Sequence, residues 1–214
     1  MCGGRGTRLD ADAEKPLFAV GGAPMVDRVC DALAAADRVD AVSAAVSPHT
    51  PDTRDRLADD DAVSVIRTPG DGYVADLQAA LDATGTPVLT VAADLPLLAG
   101  DAVDAMLAAA DGSTTVRVPA ALKRELGVSV DSADSVDAGD AGDAGDAAGG
   151  DDADAAAAWV PTGVNVVAAD GDTAVRSYDA RLAVNVNRRA DAAVAERLLA
   201  ARRAPAGGEV ADGP

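Results

Sequence analysis

The most informative stretch of the chain is its opening segment, residues 2–17, which reads CGGRGTRLDADAEKPL. Glycines leave backbone N–H groups uncovered, so an anionic oxygen can approach them closely, and a threonine hydroxyl adds a further donor. An arginine offers a planar cationic fork and a lysine offers a compact point charge, the two kinds of partner that a polyphosphate needs. The segment therefore predicts a cradle for a phosphate chain, formed by Gly3, Gly4, Gly6, Thr7, Arg8 and Lys15.

Lysine is rare in this chain, which makes Lys15 the most telling residue of the segment. The 18 basic residues are 16 Arg and 2 Lys, the second being Lys123. A lysine beside a glycine-rich loop in such a chain indicates that its ammonium group is needed there. A bare Gly-Gly-x-Gly would be a weak signal, since a flexible glycine-rich terminus has the same composition. The spacing differs from a Walker A loop and from the Gly-x-Gly-x-x-Gly dinucleotide fingerprint.

A carboxylate for a metal ion is predicted at Asp94. It follows the continuously apolar stretch Pro87–Ala92, which is typical of a strand buried on both faces. Ligands of open α/β sheets bind at the carboxyl ends of the strands, and Mg²⁺ favours one or two carboxylates together with phosphate oxygens. A turn or helix-capping role ahead of Pro96 is the structural alternative. We expect Asp94 to bind Mg²⁺.

The opening segment resembles the first loop of the nucleotidyltransferases of the sugar-nucleotide and molybdenum-cofactor guanylyltransferase superfamily. That loop reads Gly-Gly-x-Gly-Thr-Arg followed by Lys-Pro, which matches Gly3 to Arg8 plus Lys15-Pro16. Within the superfamily, further motifs are most similar to the archaeal adenosylcobinamide-phosphate guanylyltransferases. These motifs are EKPL at 14–17, GDGYVADL at 70–77, PTGVN at 161–165 and VNVN at 184–187, and the resemblance spans about residues 2–128 and 159–200.

The resemblance implies a Rossmann-like α/β nucleotidyltransferase fold, with a mostly parallel sheet flanked by helices. It implies transfer of GMP from GTP to adenosylcobinamide phosphate, with release of pyrophosphate, on the way to cobalamin. Mg²⁺ is the implied cofactor. The implied catalytic residues are Arg8, Lys15 and Asp94, the metal ligands Asp94 and Asn187, and the acceptor-binding residues Asn165 and Asn185, placed at later strand ends. Asn at a strand end is often only a turn residue.

Glycines also flank Asp71 in the segment Gly70–Gly72, ahead of a helical stretch. Backbone donors at a helix N-terminus could approach the guanine or a phosphate, so we expect Gly70, Asp71 and Gly72 to bind nucleotide. Asp71 or Asp76 could accept hydrogen bonds from the guanine N1–H and amino group, and the sequence does not decide between them. An ordinary turn before a helix is the alternative.

Three other functions fit part of this pattern. A molybdenum-cofactor guanylyltransferase would use the same loop with a pterin acceptor. A sugar-phosphate nucleotidyltransferase would usually be longer and would often prefer UTP, CTP or dTTP. A GTP-binding module without turnover is the non-enzymatic alternative, and the presence of Arg8, Lys15 and Asp94 together argues against it.

Short β-type runs alternate with helical stretches, which predicts one α/β domain over residues 1–204. We expect helices at about 24–36, 52–57, 73–83, 101–110 and 188–203, and strands at about 41–46, 63–66, 87–92, 114–118, 159–168 and 181–186. Residues 129–158 hold nine Asp and no Lys or Arg, which favours a disordered acidic insertion, and residues 205–214 favour a frayed tail.

A glycine-rich loop of this kind is normally preceded by a buried strand, whereas here Met1 opens the loop itself. Leaving out a central strand would expose two ladder edges with their backbone N–H and C=O groups. We therefore expect a short apolar strand before Cys2 and a natural start a few codons upstream.

The cysteines and the histidine suggest no further chemistry. Cys2 and Cys30 form neither a disulfide framework nor a Cys-x-x-Cys metal spacing, which fits a reducing compartment. The lone His49 lies in a Ser-Pro-His-Thr-Pro turn far from Cys2 along the chain, so a Cys-His dyad is not expected.

Charge and hydropathy exclude several classes of partner. The 36 acidic and 18 basic residues give a net charge of -18, so duplex nucleic acid would be repelled. No apolar run approaches the roughly 18 to 20 residues that span a bilayer, and no signal segment opens the chain. We expect a cytoplasmic protein that could form a homodimer, with GTP and the corrinoid phosphate as its partners.

The excess of Asp over Lys also suggests a halophilic protein, because molar salt shortens the Debye length to about 3 Å and screens self-repulsion. Lowering KCl from about 2 M to about 0.1 M should then reduce the melting temperature by roughly 5–10 °C. Thermal unfolding followed by circular dichroism tests this, with sucrose at matched osmolality as the uncharged control. An unchanged melting temperature would remove the halophile hypothesis.

Overall fold

The computed structural model describes residues 1–3, 9, 13–130 and 158–203. Most of the predicted acidic insertion and the predicted frayed tail lie outside these residues. The two ends of the insertion are described and hydrogen-bonded. Ser129 contacts Asp191, and the carbonyl of Ala158 accepts the N–H of Ala120 at 2.8 Å.

Helices and strands alternate over the described residues between 25 and 167, as the sequence predicts. After a single 3₁₀ turn at Lys15–Leu17 come β1 (Ala19–Val20), β2 (Ala23–Pro24), α1 (Met25–Ala34), β3 (Val42–Val46), α2 (Pro51–Ala58), β4 (Val63–Arg67), α3 (Tyr73–Thr84), β5 (Val88–Val91), α4 (Gly100–Ala109), β6 (Thr114–Pro119), α5 (Ala120–Leu126), β7 (Trp159–Val167), β8 (Thr173–Arg176), α6 (Ala180–Ala183) and α7 (Arg189–Arg203).

The strands form a parallel pair, β3 with β4, and a four-stranded sheet in the order β5-β7-β6-β8, besides the small β1-β2 hairpin. The backbone of the first residues links the pair to the sheet. Met1 bonds to Val91 and Ala93, and the N–H of Cys2 donates to the carbonyl of Ala45 at 2.8 Å. The α/β fold with flanking helices is confirmed. Strand β7 runs antiparallel to both of its neighbours, a reversal that the sequence did not predict.

The predicted strand at 181–186 is wrong. Residues 180–183 form the short helix α6, whose first turn is capped by the Asp179 side chain accepting the N–H of Arg181. Leu182, Ala183 and Val184 are all buried. A short apolar run fits a buried helical turn as well as a buried strand, so periodicity could not separate the two.

Besides the 3₁₀ turn and the β1-β2 hairpin, α5 and β8 were not predicted. The helix α5 has only seven residues, too few for an amphipathic period to stand out. The strand β8 is largely exposed and lies at the edge of the sheet, so it lacks the apolar run that marks a buried strand.

The core is built from small side chains, as the low aromatic content predicts. Apart from Cys2, Cys30, Met25, Met106, Pro16 and Pro96, every buried apolar residue in the described ranges is Ala, Val or Leu. The main cluster packs the sheet against α1 and α4, and a second cluster lies under α7. Among the described residues, no helix is both long and apolar enough to cross a bilayer.

A cavity of about 660 Å³ lies between β3 and β5 and is lined in part by Met1 and Cys2. Alternate residues of a parallel strand direct their backbone groups to the same side. Because Ala45 and Val91 bond to the first two residues, Ser43 and Leu89 also direct their backbone groups toward this cavity. The cavity thus has the ladder geometry of a strand site. The predicted strand before Cys2 stays a prediction.

An apolar strand placed before Met1 should therefore stabilise the fold. A Val-Ile-Val-Ala-Val extension, about 17 Å long, would pair with both ladders and bury apolar side chains. We expect the melting temperature to rise by about 5 °C, which corresponds to roughly 2 kcal/mol in a chain of this size. A Gly-Ser extension of equal length is the matched control in thermal unfolding. Equal melting temperatures for the two extensions would contradict a strand site.

Candidate active site

Lys15 joins two of the residues that were predicted as metal ligands. Its Nζ donates to Asp94 Oδ2 and to Asn187 Oδ1, each at 2.6 Å. The side chains of Lys15 and Asp94 are 19% and 17% exposed, so the ion pair is shielded from bulk water but still reachable. Three residues far apart in the chain therefore meet at one point.

The chain turns sharply after β5 and so places Asp94 at the carboxyl end of that strand. Leu95 and Leu97 of the turn are buried and anchor it in the core. The carbonyl of Asp94 accepts the N–H of Val186 at 2.9 Å, and its Oδ1 accepts the Asn185 amide at 3.2 Å. Asp94 Oδ2 thus faces Lys15, while Oδ1 is held by the Asn185 amide.

Glu14 fixes the segment that carries Lys15. Its carboxylate accepts the backbone N–H groups of Asp52 and Thr53, each at 2.8 Å, and the Thr53 hydroxyl at 2.6 Å. These donors belong to the first turn of α2, where a negative charge is favourable. Pro16 is buried and is the second residue of the short 3₁₀ turn. Lys15 therefore projects from an anchored backbone.

Asp191 fixes the segment that carries Asn187. Its side chain is buried, and its Oδ2 accepts the backbone N–H groups of Asn187 at 3.0 Å and Arg188 at 2.9 Å. It also accepts the N–H and the hydroxyl of Ser129, each at 2.8 Å. Asp191 thereby connects the start of α7 with Ser129, which follows α5 along the chain.

A second lysine lies behind Asp94. Lys123 on α5 is fully buried and donates to Asn185 Oδ1 at 3.2 Å. The Asn185 amide group also donates to the carbonyl of Thr162 at 2.9 Å. Sequence analysis missed Lys123 as a site residue, although the rarity of lysine that singled out Lys15 applies to it equally.

The strand β7 comes close enough to complete this group because it contains Gly163. That residue has a φ of 81°, and a Cβ there would lie 2.9 Å from the Cβ of Ala92. A side chain would push β7 away from β5. The glycine of the PTGVN motif therefore brings the Thr162 carbonyl to Asn185.

The predicted nucleotide-binding loop Gly70–Gly72 lies beside the opening segment. The N–H of Gly70 donates to Oδ1 of the buried Asp76 at 2.7 Å, while Asp71 is exposed. A Cβ on Gly3 would lie 2.7 Å from Asp76 Oδ2, so this close approach requires glycine. Asp76 therefore shapes the loop, and Asp71 and Asp76 both stay candidates for the residue that reads a base.

The structure does not bring every predicted residue to Lys15. Asn165 lies within β7, paired with Thr90, rather than at a strand end as predicted. Its side chain points to the face opposite Thr162, because neighbouring strand residues alternate. The strand predicted at about 159–168 already extended past residue 165, as β7 does, so the placement of Asn165 at a strand end was wrong. The remaining cradle residues Gly4, Gly6, Thr7 and Arg8 lie outside the described residues.

The donor set around Lys15 suits a hard cation. Asp94 and Asn187 offer oxygens that already hold one positive charge, the Lys15 ammonium, between them. In the described ranges no cluster of three or more His, Cys, Asp or Glu residues has the geometry of a metal site. A Mg²⁺ ion here would take one carboxylate and one amide oxygen, with phosphate and water oxygens completing its shell. These residues fit Mg²⁺ bound together with a nucleotide.

The cysteines play no part in this arrangement. Cys2 and Cys30 are both buried and free. Burial raises the pKa of the Cys30 thiol to about 12, so it stays protonated and is a poor nucleophile near neutral pH. The ring of His49 is exposed, and one of its nitrogens lies 3.2 Å from the carbonyl of Gly70. Neither residue type contacts Asp94.

Known proteins resemble this chain in both sequence and fold. The adenosylcobinamide-phosphate guanylyltransferase of Methanocaldococcus jannaschii is 35% identical over 99 residues, which cover 44% of this chain and 50% of that relative. The chain thus spans about half the length of that relative. A putative glucose-1-phosphate thymidylyltransferase from Bacillus anthracis has a TM-score of 0.60 at 13% identity, covering 96% of this chain and 95% of that one.

A further solved structure has the same fold. CMP:2-keto-3-deoxy-manno-octonic acid synthetase, complexed with CTP, has a TM-score of 0.56 at 13% identity and covers 91% of this chain and 95% of its own. At such identities the likeness concerns the fold alone. The pattern of the MobA-like NTP transferase domain matches residues 1–203. Because that match includes nearly the whole chain, the protein belongs to the family of MobA-like NTP transferase domains.

Proposed function

We propose that this protein transfers GMP from GTP to the phosphate of adenosylcobinamide phosphate and releases pyrophosphate. The observation that carries the proposal is the Lys15 ammonium held between Asp94 and Asn187, beside the loops of a nucleotidyltransferase fold. The substrate pair is supported by the sequence motifs and by the partial match to the guanylyltransferase of Methanocaldococcus jannaschii.

The reaction requires two anions to meet. A phosphate oxygen of the acceptor attacks the α-phosphorus of GTP, a new P–O bond forms, and the bond to the β-phosphate oxygen breaks. Two unit charges 4 Å apart repel by about 4 kcal/mol at an effective dielectric of 20, so cations must neutralise them. No general base is needed, because the acceptor phosphate is already ionised near neutral pH.

Lys15 supplies part of that neutralisation. Its ammonium group binds the β- and γ-phosphates and stabilises the leaving pyrophosphate, with Arg8 and the glycine N–H groups as further donors. When bound, Mg²⁺ supplies positive charge to the phosphate oxygens of the reacting groups. Asp94 and Asn187 would hold that ion.

Lys15 and a divalent cation cannot share the same oxygens. The ammonium contacts both Asp94 Oδ2 and Asn187 Oδ1 at 2.6 Å, the atoms that a metal would need. The triphosphate gives Lys15 an alternative anionic partner. Nucleotide binding thus draws the ammonium away and frees the two oxygens for the ion, so metal and nucleotide bind together.

Replacing Lys15 with Ala should lower turnover by about 100-fold or more, the usual cost of losing one preorganised transition-state contact. Pyrophosphate release from GTP and adenosylcobinamide phosphate measures it. Arg54→Ala is the matched control, since Arg54 is an exposed cation paired with Asp55 on α2. Undiminished turnover in Lys15→Ala would end the assignment of Lys15.

Removing the Lys15 charge should also strengthen metal binding in the absence of nucleotide. Lys15→Met is expected to bind Mn²⁺ about tenfold more tightly, equivalent to about 1.4 kcal/mol of relieved repulsion. Electron paramagnetic resonance of free Mn²⁺ measures this without any turnover. Asp94→Asn in the same background should abolish the tight binding. Equal or weaker binding by Lys15→Met would contradict the competition.

The choice of substrate is tested by a matrix of nucleotides and acceptors. We expect pyrophosphate release with GTP and adenosylcobinamide phosphate, and at least about 100-fold lower kcat/KM with CTP, UTP or dTTP. Turnover with molybdopterin would instead identify a molybdenum-cofactor guanylyltransferase, and turnover with a sugar 1-phosphate a sugar nucleotidyltransferase. Saturable GTP binding without release with any acceptor would identify a binding module.

A further inference from the structure

Lys123 is a fully buried cation that the proposed reaction does not use directly. Its side chain is 0% exposed, within a core made mainly of Ala, Val and Leu. Burying an ammonium is costly unless it is paired or hydrogen-bonded, and a Leu or Met of similar volume would avoid that cost. The contacts of Lys123 must therefore offset the cost of burying its ammonium group.

Its contact with Asn185 determines which way that amide points. An ammonium group can only donate hydrogen bonds, so it requires the carbonyl oxygen of the amide on its side. Lys123 Nζ lies 3.2 Å from Asn185 Oδ1, and the amide NH₂ consequently faces Thr162 and Asp94. Without the ammonium, the reversed amide would place its oxygen against the Asp94 carboxylate.

The orientation of Asn185 in turn determines how Asp94 is presented. The Asn185 NH₂ donates to Asp94 Oδ1 at 3.2 Å and to the Thr162 carbonyl at 2.9 Å. Asp94 Oδ1 is thereby held, and Oδ2 is directed to Lys15. A flipped amide would replace an attraction by a repulsion between two oxygens and would turn the carboxylate.

We propose that Lys123 is a positioning residue, which orients the Asp94 carboxylate through the amide of Asn185. The role in turnover rests on the proposed function, because it is through Asp94 that Lys123 affects the reaction. The orientation of Asn185 itself does not depend on which substrates the protein uses.

Lys123→Met tests the kinetic consequence. We expect kcat to fall by about 10- to 100-fold while the KM for GTP changes less than about threefold, because the nucleotide cradle is untouched. Arg124→Met is the matched control, since Arg124 is an exposed cation on the same helix and lies outside the Asn185–Asp94 network. An unchanged kcat in Lys123→Met, or an equal loss in Arg124→Met, would overturn the proposal.

A double-mutant cycle separates positioning from general destabilisation. Asn185→Ala should cost about as much kcat as Lys123→Met, and the double variant no more than the larger single loss, because both remove one relay. Fully additive losses would show independent roles and overturn the proposal. If Lys123→Met does not unfold cooperatively, Lys123→Gln takes its place. Oriented to donate its amide N–H to Asn185, Gln should retain most of the wild-type kcat.

A readout without turnover keeps this proposal distinct from the proposed function. In ¹⁵N-labelled protein, the bonded Asn185 side-chain NH₂ should exchange with solvent at least about tenfold faster in the Lys123 variant than in the wild type. Unchanged exchange would overturn the relay. Faster exchange in a protein that lacks guanylyltransferase activity would sustain the relay and reject only the proposed substrates.

Discussion

The meeting of Lys15 with Asp94 and Asn187 is the interaction on which the rest of the site depends. These residues lie 79 and 172 positions from Lys15 along the chain, so the fold must bring three separate segments together. Each segment is anchored through a carboxylate or an amide. Glu14 caps the start of α2 and Asp191 the start of α7, so the abundant acids of this chain serve here as structural acceptors.

An acidic protein can bind a triphosphate because the local arrangement of charge outweighs the total. The net charge is -18, yet both lysines of the chain lie next to Asp94 or to its hydrogen-bond partner Asn185. Salt screens carboxylates that lie farther away than the Debye length of about 8–10 Å, whereas contacts below 3 Å persist. The long-range repulsion would therefore be weak at the distance where the proposed nucleotide phosphates contact the ammonium.

Local signals were enough to predict the fold class and to single out Lys15 and Asp94 as candidate site residues. Lys15 is a rare lysine that follows a glycine loop, and Asp94 follows a buried apolar strand. In each case the adjacent residues indicate where the side chain lies in the fold. Lys123 shared the rarity of lysine, but no motif beside it indicated its position, since the seven residues of α5 are too few to show a period. Its role depends on Asn185, which the incorrectly predicted strand had placed at a strand end. Contacts between distant segments are decided by packing, which one sequence does not reveal.

Asparagines occupy two positions at which an aspartate could also accept a hydrogen bond from a lysine. Asn187 and Asn185 each present Oδ1 to an ammonium group, which an aspartate oxygen could contact equally well. An aspartate at 185 would also face Asp94, and like charges that close cannot both remain ionised without cost. Asn185 and Asn187 accept hydrogen bonds from the two ammonium groups without adding a negative charge beside them. Neutral amides therefore preserve the attraction for an anion that a second and third carboxylate would cancel.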